Sequence, residues 1–587
     1  MNRPYSLLSL LPLVLCISLC SVRSGTAVSI TTGTPDGSEM WGYVEVRPKA
    51  HLFWWYYKSP QRTSTPSKPW PTVLWLQGGP GASGVGLGNF KEIGPLDVNL
   101  QPRNSTWLQK ADLIFVDNPV GVGYSYVEDD SLLVTTDWQQ AADATTLLKA
   151  LVEKVPTLQS SPLFLVAESY GGKYAATIGV SVARAVRAGE LNITLGGVAL
   201  GDSWISPEDF ALSYAPLLLS VSRLDDNAGD ESNKMAETVK EQIASGNFTG
   251  AEGSWKALLR FIETWSGEVD MYNFLDGSLD PAPANTPTVY NTIDGIMNGV
   301  IKDKLKIIPK DLEWYELNLA VYNALVNDIM KPRIDEIDEL LSYGVNVTVY
   351  NGQLDIICST IGAEAWVQKL KWDGIKTFLS LPRQSLSCSP SKATKGFVRS
   401  YKNLHFYWIL GAGHYDVYNF LLDRAMDPAN SSASGAPLHL SRYSGYRLAG
   451  KAAAPASGAS STVVGILNSV VKEKLKIIPK DLVWKEINFD VYHALINDMM
   501  KPRIDEASTN ATISLASDMG WAGELLDPAK ATSLLCPTKA TQAFVKSYRN
   551  LHFYWILGAG HFVSNIPSIS IVVLNLTFSL LDFLLQN

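Results

Sequence analysis

The chain has 587 residues, with Lys+Arg 49 against Asp+Glu 57 and a formal net charge of -8. Such a length sets no limit on core size. The acid excess argues against nucleic acid as a partner.

In chain order, the first 27 residues read as a secretory signal. Arg3 supplies positive charge, Leu7 to Leu19 is apolar, and Gly25-Thr26-Ala27 offers small residues for cleavage. The apolar run is short of the about 20 residues a membrane-spanning helix needs. Export is therefore expected, to the outside or to a vacuole or lysosome, with no membrane partner. The mature chain keeps Cys358, Cys388 and Cys536, enough for one bridge and one spare thiol in an oxidising compartment. Sequons at Asn104, Asn192, Asn247, Asn346, Asn430, Asn510 and Asn575 then suggest a glycoprotein.

Met40 to Val46 and Leu52 to Tyr57 predict the arms of a hairpin. Pro71 to Leu76 predicts a buried strand that ends in Gln77-Gly78-Gly79-Pro80-Gly81-Ala82-Ser83-Gly84. So glycine-rich a loop lets backbone N–H groups approach a bound group. A phosphate loop would need a lysine and a Ser/Thr at fixed spacing, which this loop lacks. Ala111 to Asp117 predicts a third strand and Thr136 to Lys154 a helix.

The apolar run Leu163 to Ala167 then leads into Glu168-Ser169-Tyr170-Gly171-Gly172 and a helix from Lys173 through Ala183. A serine at the apex of strand, turn and helix is a nucleophile elbow, which holds Oγ over the sheet's C-terminal edge. A serine that merely caps the helix is the competing reading. Ala167 and Gly171 occupy the glycine positions of G-x-S-x-G, and both are small enough for close strand–helix packing. In such a site the N–H of Tyr170 and an N–H from the glycine loop, assigned to Gly79, face the oxyanion.

Leu195 to Leu200 is a further strand. Residues 205 to 340 read as a helical cap without strand runs. Val345 to Asn351 resumes the sheet and delivers Asp355, and Leu404 to Leu410 ends at Gly411-Ala412-Gly413-His414. Alternating strands and helices predict an α/β fold, a mostly parallel sheet under helices. Ser169, Asp355 and His414, each just past a strand, follow the α/β-hydrolase order of nucleophile, acid and histidine. The histidine would accept the serine proton while the aspartate fixes its tautomer. No metal-ligand spacing and no cofactor loop is visible, so neither a metal nor a cofactor is expected.

These residues resemble the serine carboxypeptidases and their plant serine carboxypeptidase-like relatives, nearest the retinoid-inducible branch. Leu165-Val166-Ala167-Glu168-Ser169-Tyr170-Gly171-Gly172 matches the family's active-serine pattern. Asp117-x-Pro119-x-Gly121-x-Gly123-Tyr124-Ser125 and Gly201-Asp202-Ser203-Trp204-Ile205-Ser206-Pro207 are similar to family segments. The resemblance runs from about residue 30 to 414. It implies removal of C-terminal residues from peptides or proteins, usually at acidic pH. It also implies that the substrate carboxylate is held by Gln77, Glu92 and Glu168, with Trp75 and Gly78 alongside. Gln77 stands where the family has asparagine, and Ala82 where a cysteine is common. Carboxyl groups facing a carboxylate cannot all be ionised, so acid would favour binding.

The chain then repeats itself. Val300 to Leu312 returns as Val470 to Leu482, and Lys331 to Glu336 as Lys501 to Glu506, at an offset of 170. Leu404 to Trp408 returns as Leu551 to Trp555, and His414 as His561, at an offset of 147. The second copy therefore lacks the strand that carries Asp355. Residues 427 to 461, rich in Ala, Ser, Gly and Pro, read as a linker. The expected layout is a signal over 1–27, a catalytic domain over 28–426, and a partial repeat over 462–587 with an apolar tail. His414 is the expected base because it belongs with the acid-bearing strand. His561 is the alternative, because Gly560-His561-Phe562-Val563 is closer to the family's segment after the histidine. Cys358 and Cys388 would pair, leaving Cys536 over. Three functions stay open: a peptide carboxypeptidase, an acyltransferase on small metabolites using the same acyl-enzyme, and a catalytically inactive secreted binding protein.

Overall fold

The computed structural model describes residues 29–63, 65, 69–277, 293–387 and 394–418, with the backbone of three strands between 532 and 556. The signal segment, the linker, Cys388, Cys536, His561 and the apolar tail lie outside the described residues.

The predicted hairpin forms from β2 (Glu39–Arg47) and β3 (Ala50–Tyr57), preceded by β1 (Ser29–Gly33). Next come β4 (Thr72–Leu76) and β5 (Asp112–Val116), buried at every position, as strands covered on both faces must be. The short β6 (Tyr126–Val127) pairs with β3. β7 (Pro162–Glu168), β8 (Thr194–Gly201) and β11 (Val347–Gly352) continue the sheet. It closes with β12 (Gln384–Ser387), β13 (Thr394–Tyr401) and β14 (Leu404–Ile409). The strand order is β1-β2-β3-β5-β4-β7-β8-β11-β14-β13-β12. From β5 through β14 neighbouring strands are parallel, and the hairpins at both edges are antiparallel. The sheet is thus mixed, parallel only at its centre.

Strand alternation separates two apolar layers. Trp54, Tyr56, Leu74, Leu76, Leu165 and Ala167 share one cluster with helices α1 (Asp137–Lys154) and α2 (Gly171–Arg187). Trp55, Tyr57, Val73 and Trp75 belong to the other. Between β8 and β11 lie α3 (Pro207–Ser220), α4 (Asp226–Ala244), α5 (Phe248–Trp265) and, after shorter helices, α6 (Ile334–Ser342). The insertion is helical as expected, except for a ribbon of β9 (Val269–Asp270) and β10 (Asn273–Gly277). β9 has only two residues, and β10, with Asn, Asp and Gly among its five, carries no apolar run to mark it in sequence.

A separate sheet holds β15 (Thr532–Leu535), β16 (Thr541–Tyr548) and β17 (Leu551–Ile556), in that order. Its first pairing repeats that of β12 with β13 down to the irregularity, at Leu534/Leu535 in one and Leu386/Ser387 in the other. Among the described residues no helix is long and apolar enough to cross a membrane.

Candidate active site

Ser169 follows β7 with a left-handed φ of 59°, the strained conformation a nucleophile elbow imposes on its apex. Its N–H donates to Gly201 O at 3.1 Å and its carbonyl accepts from Trp204 N at 2.9 Å. The end of β8 thus holds both of its backbone groups. The residue is half-buried. Gly171 is required here: a Cβ would lie 2.2 Å from Leu76 O.

The acid and histidine follow two adjacent parallel strands. Asp355, past β11, is fully buried, and His414, past β14, is 1% exposed. His414 Nδ1 and Asp355 Oδ2 lie 2.8 Å apart, while Cys358 N–H donates to Asp355 Oδ1 at 3.2 Å. The histidine backbone is pinned by its N–H to Tyr272 O at 2.9 Å, from the β9–β10 ribbon. The Tyr272 and Tyr415 rings each sit 5.1 Å from the imidazole.

Gly78 presses on the elbow. A Cβ there would come 2.6 Å from Ser169 Cβ and 2.9 Å from Tyr170 N. Gly79 follows with φ 105°. Among the described residues neither the Gly79 nor the Tyr170 N–H donates a backbone hydrogen bond outside helices and strands. The loop's shape comes from Asp117, which sequence reading noted only as part of a motif. Its buried carboxylate accepts from Ser83 Oγ, from Val85 N at 3.0 Å and from Tyr124 N at 2.8 Å. Burial raises this carboxyl to about 6. A strand-end aspartate beside a glycine loop is the signal that could have found it.

Gln77, Glu92 and Glu168 come together in the interior. Trp75 Nε1 donates to Gln77 Oε1 at 2.7 Å, and Gln77 Nε2 donates to Glu92 Oε1 and Glu168 Oε1, each at 3.2 Å. One amide therefore carries both acids. Their second oxygens are buried without a partner among the described residues. Desolvation raises both carboxyl groups well above the usual range, and the charge of Glu92 adds to the rise at Glu168. Asp202, likewise noted in the sequence only as part of a motif, accepts from Gly352 N at 2.8 Å and ties β8 to the turn that carries Asp355.

The expected Cys358–Cys388 bridge is corrected. Cys358 is a free, buried thiol, and its sulfur lies with an Asp355 oxygen and a His414 nitrogen, all within 4.8 Å of one another. Its position three residues after Asp355 directs it to the acid. Of the sequons, Asn104, Asn192, Asn247 and Asn346 are exposed, and Asn430, Asn510 and Asn575 lie outside the described residues.

The serine carboxypeptidase pattern matches residues 30–419. Serine carboxypeptidase-like 51 of Arabidopsis thaliana is 54% identical over 431 residues, covering 68% of this chain and 93% of that protein. The human retinoid-inducible serine carboxypeptidase is 42% identical, over 69% of this chain and 92% of its own length. Among solved structures, a prohormone-processing carboxypeptidase from Saccharomyces cerevisiae shares the fold. Its TM-score is 0.55 at 24% identity, covering 66% of this chain and 90% of that one.

Proposed function

The chain belongs to the serine carboxypeptidase family, and from that premise we propose that it releases C-terminal residues from peptides through an acyl-enzyme on Ser169. His414 takes the Oγ proton as Ser169 attacks the scissile carbonyl, and returns it to the leaving amine. Asp355 holds the imidazole tautomer and stabilises the imidazolium. The oxyanion meets the N–H groups of Gly79 and Tyr170. Water then attacks the ester by the same proton path. The hydrogen bond to Asp355 favours His414 over His561 as the base.

The observation that carries the exopeptidase reading is the buried Gln77–Glu92–Glu168 group. Raised carboxyl groups can enter as OH donors, and two such donors suit the two oxygens of a peptide's terminal carboxylate. Acid keeps them protonated, and with Glu92 raised to about 8 carboxylate binding is lost as pH rises past neutral. Gln77, longer than asparagine by one C–C bond, still reaches both acids.

The second copy, with no serine elbow and no acid strand, is proposed as an appendage of the 28–426 catalytic domain. The exposed sequons and the leader-like start support a glycosylated protein of the secretory pathway.

The test is release of the last residue from an N-blocked dipeptide and from its C-terminal amide, at mildly acidic pH, with and without an alcohol acceptor. Fast release from the free acid alone is expected. Product that appears only as acceptor ester would replace hydrolysis by acyl transfer. No turnover by folded protein would leave the binding-protein reading.

A further inference from the structure

Behind the elbow lies a buried ionic cluster that the proposed chemistry does not use. Asp137, the first residue of α1, and Lys173, in the first turn of α2, are both fully buried. Asp328 and Arg333 reach them from the stretch before α6 and are nearly as buried. Lys173 Nζ lies 3.2 Å from Asp137 Oδ2, and Arg333 Nε lies 2.8 Å from that same oxygen. Arg333 also pairs with Asp328, whose Oδ2 accepts the Asp137 N–H at 2.8 Å. Lys173 Nζ further donates to the carbonyls of Asp328 and Ile329. Two buried cations face two buried anions, with the more exposed Lys331 on Asp328 at 2.8 Å and Glu336 on Arg333 at 3.5 Å.

Such a cluster is weak evidence for stability, because desolvation offsets the attraction and apolar packing would serve as well. What it supplies is geometry. Tyr170 OH donates to Asp137 Oδ1 at 2.9 Å, and the Lys173 ammonium stands 4.6 Å over the Tyr170 ring. The residue after the nucleophile is therefore held at its far end as well as at its backbone.

The stretch that brings Asp328 and Arg333 begins at the glycine loop that carries Gly79, on Gly81 to Ser83. Asn318 N–H donates to Gly81 O at 2.9 Å, Ser83 N–H to Glu316 O at 3.1 Å, and Ala82 bridges Leu317. Asn318 Nδ2 donates to Gly121 O at 2.7 Å. One continuous segment, Glu316 to Arg333, thus touches the glycine loop at its start and the elbow at its end.

We propose that this segment is a brace that sets the spacing of the two oxyanion donors, and that Asp137, Lys173, Asp328 and Arg333 are positioning residues that anchor it. The proposal rests on the reading that the Gly79 and Tyr170 N–H groups receive the oxyanion. It assigns to the ion cluster a role in the transition state and none in substrate affinity.

The test uses Tyr170→Phe, which removes the hydroxyl's bonds to Asp137 and Lys173 and leaves the ring, and Arg333→Lys beside Arg333→Ala. Active sites are titrated with a fluorophosphonate, so that misfolded protein does not count. Complete loss of a donor costs roughly 100-fold or more in kcat. Loosening one is expected to lower kcat per titrated site about tenfold with KM within about twofold. A peptide aldehyde, which forms the tetrahedral adduct, should lose affinity by the same factor, while the matching alcohol should not. Arg333→Lys, which keeps the charge but not the forked contact, should retain more kcat than Arg333→Ala. Unchanged kcat per site in Tyr170→Phe and Arg333→Lys, with only a lowered Tm, would overturn the proposal and leave the cluster structural. If wild type binds aldehyde no tighter than alcohol, the oxyanion reading itself fails.

Discussion

Glu92 offers the sharpest handle on the proposed carboxylate site. It is 4% exposed, with one oxygen on Gln77 and the other unpartnered among the described residues. Burial raises its carboxyl group, so at acidic pH it presents an OH to an incoming carboxylate. As pH rises and Glu92 and Glu168 ionise, the same oxygens repel that carboxylate. KM for free-acid peptides should therefore rise with pH more steeply than kcat changes. A hydrogen bond to a charged group contributes about 1.5–3 kcal/mol. Glu92→Ala should thus raise KM for an N-blocked dipeptide by about 10- to 100-fold, at about 1.4 kcal/mol per tenfold. The C-terminal amide, with no charge to receive, should change far less. Glu92→Gln keeps a donor and removes one titration, so its KM should depend less on pH and lie below wild type above about pH 8, where Glu92 ionises. Steady-state kinetics from mildly acidic to alkaline pH, across the value of about 8 to which burial raises Glu92, reads all of this. Equal KM shifts for acid and amide, or an unaltered pH dependence in Glu92→Gln, would refute the reasoning.

Other outcomes follow from single contacts. Asp117→Ala strands three buried donors at about 1 kcal/mol or more each, so urea unfolding should show a loss of about 3–5 kcal/mol. Gly78→Ala places a Cβ 2.6 Å from Ser169 Cβ, and fluorophosphonate labelling should fall sharply in protein that still folds. Alkylation of denatured, unreduced protein followed by peptide mass spectrometry should find Cys358 labelled, since its thiol is free.

Strand ends were the legible part of this chain. Thr72–Leu76, Asp112–Val116 and Pro162–Glu168 each read as a short apolar run closed by glycine or a small polar residue, because buried parallel strands have no polar face to disguise them. Ser169, Asp355 and His414 were found for the same reason, each sitting where such a run stops. What stayed hidden depends on contacts distant in sequence. Nothing local marks Asp328 and Arg333 as partners of Asp137 and Lys173, more than 150 residues away. The elbow motif named Tyr170 for its N–H, while its hydroxyl finds Asp137 only in the folded chain. The edge that holds β12 and β13 was missed because these strands, half-exposed and polar, resemble loops. The disulfide expectation failed because cysteine counting does not see that Cys358 turns toward Asp355.

Labelling of the purified protein with a fluorophosphonate at mildly acidic pH, beside Ser169→Ala, His414→Ala and His561→Ala, is the decisive test of the catalytic assignment. The account predicts labelling of wild type and His561→Ala, and its loss in Ser169→Ala and His414→Ala. Labelling that survives in His414→Ala and vanishes in His561→Ala would move the base to the second copy. A folded wild type that takes no label would contradict the enzyme altogether.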